Sequence, residues 1–318
     1  MSRTILGVDI GGTKCAVVLG IDNGGSLEIR DKIRFDTTDV DSTISQILSS
    51  LKEMMSRHGL GPEDIYGTGI SCGGPLDSRT GVVMSPPNLP GWDNIPIVKL
   101  VSEATGAKAG LQNDANACAL AEWTYGAGKG SRNMAFLTFG TGLGAGLVLE
   151  GKLYTGTNDN AGELGHIRLA PYGPVGYGKA GSFEGFCSGG GIAQLAKTYI
   201  KEKLMMGEKV PWCPDPDKVD AKAVAIAAMD GDPLANRILD MSSEYLGMGL
   251  SVLIDIINPE VIVIGSIYAR NEDLMAPVMQ RVIDREALPL ASKVCRVVPA
   301  ALGEAIGDYA AISVGAAL

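Results

Sequence analysis

Residues 4–19 of the chain read TILGVDIGGTKCAVVL. The apolar run over residues 4–10 is typical of a β-strand, and Gly11-Gly12 is typical of a tight turn. A second apolar run, over residues 15–19, predicts a strand that returns beside the first. A glycine turn of this kind exposes backbone N–H groups, which are good ligands for phosphate oxygens. The amino terminus therefore predicts a β-hairpin whose turn can hold a phosphate group.

A second unit of the same design follows in the middle of the chain. Residues 134–139 favour a strand, residues 140–142 (Gly-Thr-Gly) favour a turn, and residues 145–149 favour a strand again. The repeat predicts an internal duplication, with two α/β halves and a cleft between them.

The length of the chain also favours two lobes. A single hydrophobic core rarely grows beyond about 250–300 residues, and this chain has 318. We expect an amino-terminal α/β lobe over residues 1–115 and a larger carboxy-terminal α/β lobe over residues 116–318. The helical spacing of apolar residues predicts a helix through residues 44–55, with Asp41-Ser42 as capping residues near its start, and a second helix from about residue 233 to residue 257.

Composition and charge exclude several classes of protein. The formal net charge is −9, without a tract of Lys or Arg, so we expect no nucleic-acid partner. No apolar run reaches about 18 residues and no signal-peptide pattern is present, so we expect no membrane partner. The six cysteines include no Cys-x-x-Cys pair, which is typical of reduced thiols in a cytoplasmic protein.

Two common nucleotide-binding motifs match only in part. Residues 146–152 and 173–179 fit G-x-x-x-x-G-K, but Leu153 and Ala180 stand where a P-loop needs a hydroxyl. Residues 140–145 fit the dinucleotide fingerprint, but a strand is predicted after them where that motif needs a helix. The paired hairpins instead predict that the protein binds a nucleoside triphosphate between them, with Asp9 holding hydrated Mg²⁺.

Five segments resemble, in order, the motifs of the ROK family of bacterial sugar kinases, repressors and open reading frames. They are residues 9–14 (DIGGTK), 113–117 (NDANA), 139–146 (FGTGLGAG), 161–166 (AGELGH) and 184–189 (EGFCSG). The resemblance runs from residue 5 to about residue 315. It implies the hexokinase, Hsp70 and actin superfamily, and thus an α/β, two-lobed actin-like ATPase (ribonuclease H-like) fold with duplicated mixed β-sheets.

The resemblance makes Asp114 the general base that accepts the proton of the sugar hydroxyl during phosphoryl transfer. The residues alone leave a second interpretation open. Asp114 stands where a strand is expected to end and a helix to begin, and Asp is a common N-cap.

The resemblance also implies the ligands of the two substrates. The sugar-binding residues are then Gly74, Asn88, Asn113, Asp114, Glu163, His166 and Glu184. The residues for ATP and its phosphates are Asp9, Gly11, Gly12, Thr13, Lys14, Gly140, Thr141, Gly142, Gly144 and Gly265. Each residue taken singly also has a structural interpretation. Asn88 suits a turn, and Lys14, Glu163 and Glu184 suit a solvated surface. His166 suits a core position in which its ring is hydrogen-bonded.

Two departures from the family pattern carry predictions of their own. The zinc-bearing members have C-x-C-G-x-x-G-C where residues 175–182 of this chain read VGYGKAGS. His166 is then a lone imidazole, so we predict no structural zinc and expect Tyr172 and Tyr177 to order the loop over residues 171–182. Only eight residues precede Asp9, so the chain resembles the kinases more than the repressors, which carry a helix-turn-helix domain there. The resemblance favours a homodimer.

The predicted function is phosphorylation of the 6-hydroxyl of a hexose, glucose first, with ATP and Mg²⁺. N-acetylglucosamine or N-acetylmannosamine kinase is the alternative within this class, and a non-catalytic sugar-binding regulatory protein is the alternative outside it. A Ser-His-Asp triad has only His58 and His166 available and lacks a G-x-S-x-G elbow. Glycoside hydrolysis by Glu163 and Glu184 leaves the two phosphate-type hairpins unexplained.

Overall fold

The computed structural model describes residues 2–318. Its strands are β1 (Arg3–Ile10), β2 (Lys14–Asp22), β3 (Leu27–Asp36), β4 (Gly67–Cys72), β5 (Leu76–Asp77), β6 (Val82–Val83), β7 (Ala109–Asn113), β8 (Met134–Phe139), β9 (Leu143–Leu149), β10 (Lys152–Tyr154), β11 (Val175–Gly176), β12 (Lys179–Ala180), β13 (Val261–Ile264) and β14 (Arg296–Pro299). Its helices are α1 (Val40–Arg57), α2 (Ile97–Thr105), α3 (Asp114–Tyr125), α4 (Phe183–Phe186), α5 (Gly189–Met205), α6 (Ala221–Met229), α7 (Pro233–Ile257), α8 (Ile267–Arg270), α9 (Glu272–Glu286), α10 (Pro289–Ser292) and α11 (Ile306–Ala316).

The first sheet has the strand order β3-β2-β1-β4-β7. Strands β1, β2 and β3 pair antiparallel, while β4 pairs parallel with β1 and β7 pairs parallel with β4. The interior strand β4 is buried along its whole length, whereas β3 alternates between half-buried and exposed residues, as expected at a sheet edge. Helices α1 and α2 bury apolar side chains against this sheet.

The second sheet repeats this design with the order β10-β9-β8-β13-β14. The first strand of each sheet (β1, β8) leads through a glycine turn into its neighbour (β2, β9), and two parallel strands follow on the other side. The predicted α/β fold with duplicated mixed sheets is therefore confirmed.

The chain divides into two compact units. Unit 1 contains residues 2–132, 146–161 and 301–318, and unit 2 contains residues 133–145 and 162–300. The expected boundary after residue 115 differs from this division, because α3 and α11 both pack in unit 1. A Cβ on Gly69 of β4 would lie 1.9 Å from the backbone oxygen of Ala311, so glycine allows α11 to lie directly on the sheet.

Local signals place most helices close to where the sequence predicts them. The predicted helix over residues 233–257 coincides with α7, which begins at an Asp232 N-cap and has Pro233 in its first turn. Helix α1 begins at Val40, just before the expected capping residues Asp41-Ser42, because Asp39 caps it by accepting a hydrogen bond from the Ser42 N–H. Across residues 2–318, no helix combines the length and the apolar character that crossing a bilayer requires.

Candidate active site

Three parallel strands of unit 1 end at one edge of the first sheet. Ile10 at the end of β1 lies opposite Cys72 at the end of β4, and Cys72 lies opposite Asn113 at the end of β7. The residues that follow these strand ends therefore emerge side by side. They are the turn after Asp9, the Gly73-Gly74 pair and the Asn113-Asp114 step, which are three of the predicted site segments.

Asp114 is the first residue of α3, but it does not cap that helix. The side-chain oxygen of Asn113 accepts the hydrogen bond from the Asn116 N–H at 2.7 Å, so Asn113 is the N-cap. The N-cap interpretation of Asp114 is therefore wrong. One oxygen of Asp114 accepts from the Ala115 N–H at 2.8 Å, and the side chain stays accessible to solvent. The protein around the carboxyl nevertheless raises its pKa by desolvation.

Asp9 lies in an electrostatically unfavourable place for a carboxylate. Desolvation, and then repulsion from Asp308 and Asp114, raise the pKa of Asp9 from 3.8 to about 6, although Lys32 and Arg34 oppose the rise. Oxygen is the donor atom that Mg²⁺ prefers, and a cation placed here relieves the repulsion between these carboxylates. The residues of this edge therefore fit a hydrated Mg²⁺.

The turn between β1 and β2 is packed against the segment that carries Asn88. A Cβ on Gly12 would lie 2.6 Å from the backbone oxygen of Asn88, and a Cβ on Gly73 would lie 3.2 Å from its side-chain oxygen. Thr13 and Lys14 are exposed. Unit 1 thus brings the first glycine turn together with a predicted sugar-binding residue, and the contact requires glycine at position 12.

The second group of predicted sugar residues lies together in unit 2. Glu163 precedes the short 3₁₀ turn Leu164–His166, and Glu184 is in α4. The two segments touch at Gly165, where a Cβ would lie 3.3 Å from the Cβ of Glu184. Oε2 of Glu184 also accepts a hydrogen bond from the Leu143 N–H at 2.9 Å, which joins this group to the second glycine turn.

Hydrogen bonds order the loop over residues 171–182. The backbone oxygen of Gly181 accepts from the N–H groups of Leu169 and Ala170, and Lys179 Nζ donates to the backbone oxygen of His166 at 2.7 Å. Our expectation for Tyr172 is wrong, because its side chain is 85% exposed. Tyr177 is 75% exposed and makes one contact, an edge-to-face approach to the His166 ring at 6.2 Å between centroids.

The same loop does not fit zinc. Within the part of the chain that the structure describes, no three His, Cys, Asp or Glu side chains are grouped so as to hold a metal ion. The cysteine-free hairpin of β11 and β12 supplies no thiolate. The absence of zinc stays a prediction.

A cavity of about 700 Å³ opens in unit 2 at the carboxyl ends of β8 and β13, within the range of small-molecule and cofactor sites. It is lined by Gly140, Thr141, Gly189, Gly190, Asp220, Ala221, Lys222, Ala225, Ile226, Met229, Ser266, Ile267, Arg270 and Asn271. One end consists of the second glycine turn and the amino terminus of α5, where backbone N–H groups and the helix dipole favour an anion. Helix α6 and the α8–α9 junction form the rest of the lining.

The sequence located only part of this cavity. Gly140 and Thr141 were predicted, whereas Gly142, Gly144 and Gly265 lie outside the lining, and the Gly144 N–H donates to Thr138 Oγ1. The glycine cluster near residue 189 was a signal for the phosphate end. Nothing in the local sequence of α6 marks it as a wall of a pocket.

The rejected motifs are also accounted for. Strand β9 follows the glycine turn at residue 140, so the dinucleotide fingerprint lacks its helix. Residues 146–152 and 173–179 lie in β-hairpins and not in a strand–loop–helix unit. His58 Nε2 lies 2.9 Å from Asp31 Oδ2 at the carboxyl end of α1, far in sequence from any predicted site segment.

The two sheets have the same strand order, and each begins with a strand, a glycine turn and a strand. This arrangement is that of the hexokinase, Hsp70 and actin superfamily, which is the structural class of this protein. The sequence matches the ROK family over residues 5–316. The chain belongs to the ROK family.

Three relatives are close enough to compare in detail. The chain is 35% identical to a glucokinase of Thermotoga maritima over 283 residues, which are 88% of this chain and 87% of that protein. It is 32% identical to the N-acetylmannosamine kinase of Salmonella typhi over 263 residues, 82% of each chain. A crystal structure of a ROK family glucokinase from Streptomyces griseus in complex with glucose and AMPPNP aligns with a TM-score of 0.75 at 26% identity, covering 99% of this chain and 100% of that chain.

Proposed function

We propose that this protein is an ATP-dependent sugar kinase that transfers the γ-phosphoryl group of ATP to the 6-hydroxyl of a hexose, with glucose as the substrate. The observation that carries the proposal is the edge of the first sheet, where Asp114 is not the N-cap of α3 and lies at the same strand ends as the glycine turn that follows Asp9. The identity to glucokinase over most of the chain supports the same activity.

We assign Asp114 the role of general base. Phosphoryl transfer leaves the protein mainly the tasks of positioning and electrostatic stabilisation, together with one group that accepts the hydroxyl proton. Desolvation raises the pKa of Asp114, which makes its carboxylate a better proton acceptor than an exposed aspartate. The proton moves from the 6-hydroxyl to the carboxylate as the new O–P bond forms and the bond to the β-phosphate oxygen breaks.

We assign Asp9 to Mg²⁺, held through water, because desolvation and its carboxylate neighbours destabilise its ionised carboxylate. Bound there, the metal supplies positive charge beside the transferring phosphoryl group. The N–H groups of the two glycine turns then hold phosphate oxygens, with Thr13, Thr141 and, in the first turn, Lys14 as further donors. The cavity in unit 2 takes the nucleoside.

We assign the sugar to Asn88, Asn113, Glu163, His166 and Glu184, with Gly74 at the floor of its site. Short polar side chains from several loops suit a ring that carries hydroxyls all around. Asn113 uses its oxygen for the helix cap, so its amide nitrogen is the group left to donate to a sugar oxygen. Because one relative is an N-acetylmannosamine kinase, N-acetylmannosamine and N-acetylglucosamine are the alternative substrates. We further propose a cytoplasmic homodimer without structural zinc.

The decisive experiment is ADP production with Mg-ATP over glucose, mannose, fructose, N-acetylglucosamine and N-acetylmannosamine. Loss of the base typically costs 10²–10⁴-fold, so we expect Asp114→Asn to lower kcat about 1,000-fold while sugar binding persists. Asp41→Asn, an exposed aspartate of α1, is the matched control and should leave kcat unchanged. Sugar binding without turnover on any of the five sugars would refute the kinase and favour the regulatory alternative.

A further inference from the structure

The lining of the cavity in unit 2 includes an amide oxygen that no group in residues 2–318 donates to. Asn271 lines the cavity at the junction of α8 and α9, and only 7% of the residue is exposed. Its Nδ2 donates a hydrogen bond to the backbone oxygen of Ile267 at 2.7 Å. Its Oδ1 receives no hydrogen bond from the described part of the chain. This oxygen is therefore an acceptor that a donor on a bound ligand can use.

The orientation of this amide is determined by its neighbour. The backbone oxygen of Ile267 only accepts hydrogen bonds, so the NH₂ group of Asn271 must face it and the oxygen must point the other way. The backbone of Asn271 is also held, because its N–H donates to the Tyr268 oxygen at 2.9 Å. The cavity therefore presents a fixed acceptor and not a rotating amide.

The lining of the same cavity includes apolar side chains that suit a flat ring. Ile226 and Met229 lie three residues apart on α6, on the same face, and both are at least half exposed where they line the cavity. The phosphate-type end, with Gly140 and Gly190, is at the start of α5. If the phosphates of a nucleotide lie at the glycines, α6 and the α8–α9 junction are the parts of the lining left for its base.

We propose that Asn271 selects adenine over guanine by accepting a hydrogen bond from the 6-amino group of the base through Oδ1. Guanine and hypoxanthine carry a carbonyl oxygen at the same ring position. Two acceptors would then face each other, and neither would regain the hydrogen bond that it lost from water. This inference rests on the proposed ATP-dependent function and identifies the residue that reads the nucleotide.

The test uses calorimetric binding of three diphosphates to the wild-type protein: ADP, purine riboside diphosphate, which lacks the amino group, and inosine diphosphate, which replaces it with oxygen. Losing one hydrogen bond should weaken the purine riboside diphosphate by about 10-fold. Facing two acceptors should weaken inosine diphosphate by about 100-fold. Equal affinity of ADP and purine riboside diphosphate, within about twofold, would overturn the proposal.

Two variants separate the acceptor from the donor of the same side chain. Asn271→Leu removes both, whereas Asn271→Asp removes the donor to Ile267 and keeps an acceptor. We expect the tenfold preference for ADP over purine riboside diphosphate to vanish in Asn271→Leu and to persist in Asn271→Asp. If the preference for ADP over purine riboside diphosphate persists in both variants, a group other than Asn271 recognises the base.

The outcome also distinguishes this inference from the proposed function. If wild-type protein turns over sugar with ATP but binds the three diphosphates alike, only the role of Asn271 fails. If it neither binds ADP nor phosphorylates a sugar, the kinase proposal fails and the inference fails with it. The comparison in wild-type protein remains decisive even if Asn271→Leu does not fold.

Discussion

Replacing Asp9 by asparagine should make the protein more stable while impairing its activity. Desolvation and the neighbouring carboxylates Asp308 and Asp114 raise the pKa of Asp9 from 3.8 to about 6. One pH unit of difference between the folded and unfolded pKa corresponds to about 1.4 kcal/mol, so ionised Asp9 destabilises the folded state by about 3 kcal/mol at pH 8. The amide of Asp9→Asn carries no charge, so the folded variant is not destabilised in this way.

The penalty depends on pH in a defined direction. Well below pH 3.8 the carboxyl is protonated in both states, and it costs the folded protein nothing. Between 3.8 and about 6 the unfolded chain loses its proton first, so the folded state loses stability as the pH rises. Above about 6 both states are ionised and the full penalty applies. At pH 5 the penalty amounts to about half of its value at pH 8.

The assay is urea unfolding of wild-type and Asp9→Asn protein, free of metal and nucleotide, at pH 5 and pH 8. The variant should gain about 3 kcal/mol in unfolding free energy at pH 8 and about half of that at pH 5. Asp36→Asn, an exposed residue at the end of β3, is the control and should change stability by less than about 0.5 kcal/mol at either pH. A variant that is less stable than wild type at pH 8, or a gain that does not depend on pH, would refute this account of Asp9.

Substitutions at two further positions, Gly12 and Glu184, probe the glycine turns. Gly12→Ala should raise KM for the sugar about tenfold, with a smaller effect on kcat. The reason is that the new Cβ would lie 2.6 Å from the backbone oxygen of Asn88 and displace that segment. Steady-state kinetics measure both constants, and an unchanged KM would contradict the prediction. Glu184→Leu should raise KM for both sugar and ATP, because it removes the acceptor of the Leu143 N–H. Glu184→Gln keeps an acceptor for that N–H, so its KM for ATP should stay near the wild-type value. An equal rise of KM for ATP in the two variants would show that the hydrogen bond does not position the turn.

The short-range features of the fold followed from the sequence. The strand, glycine turn and strand units at residues 4–19 and 134–149 were predictable because alternation of apolar runs with glycine is a local property of the chain. Helix α7 was predictable for the same reason, since its apolar spacing, its Asp232 cap and Pro233 are all local. The start of α1 was missed because both Asp39 and Asp41 suit an N-cap, and only the hydrogen bond to the Ser42 N–H distinguishes them.

The composition of unit 1 needed long-range information. Helix α11 returns to the first sheet after unit 2 has been completed, and it does so because glycines at positions 7 and 69 leave no Cβ in its path. Buried Glu122 adds to this packing by accepting a hydrogen bond from the Leu302 N–H, 180 residues further along the chain. Neither contact has a signature in the residues next to it.

The amino-acid sequence by itself determined the two hairpins, the mixed α/β class and the segments that supply the site, because these depend on residues within a few positions of one another. Only the tertiary structure decided that Asn113 and not Asp114 caps α3, that Glu184 holds the second glycine turn, and that Asn271 presents an unpaired oxygen to the cavity. The physical reason is that a side chain's hydrogen-bond partner and its desolvation are set by groups distant in sequence, which converge only when the chain is packed.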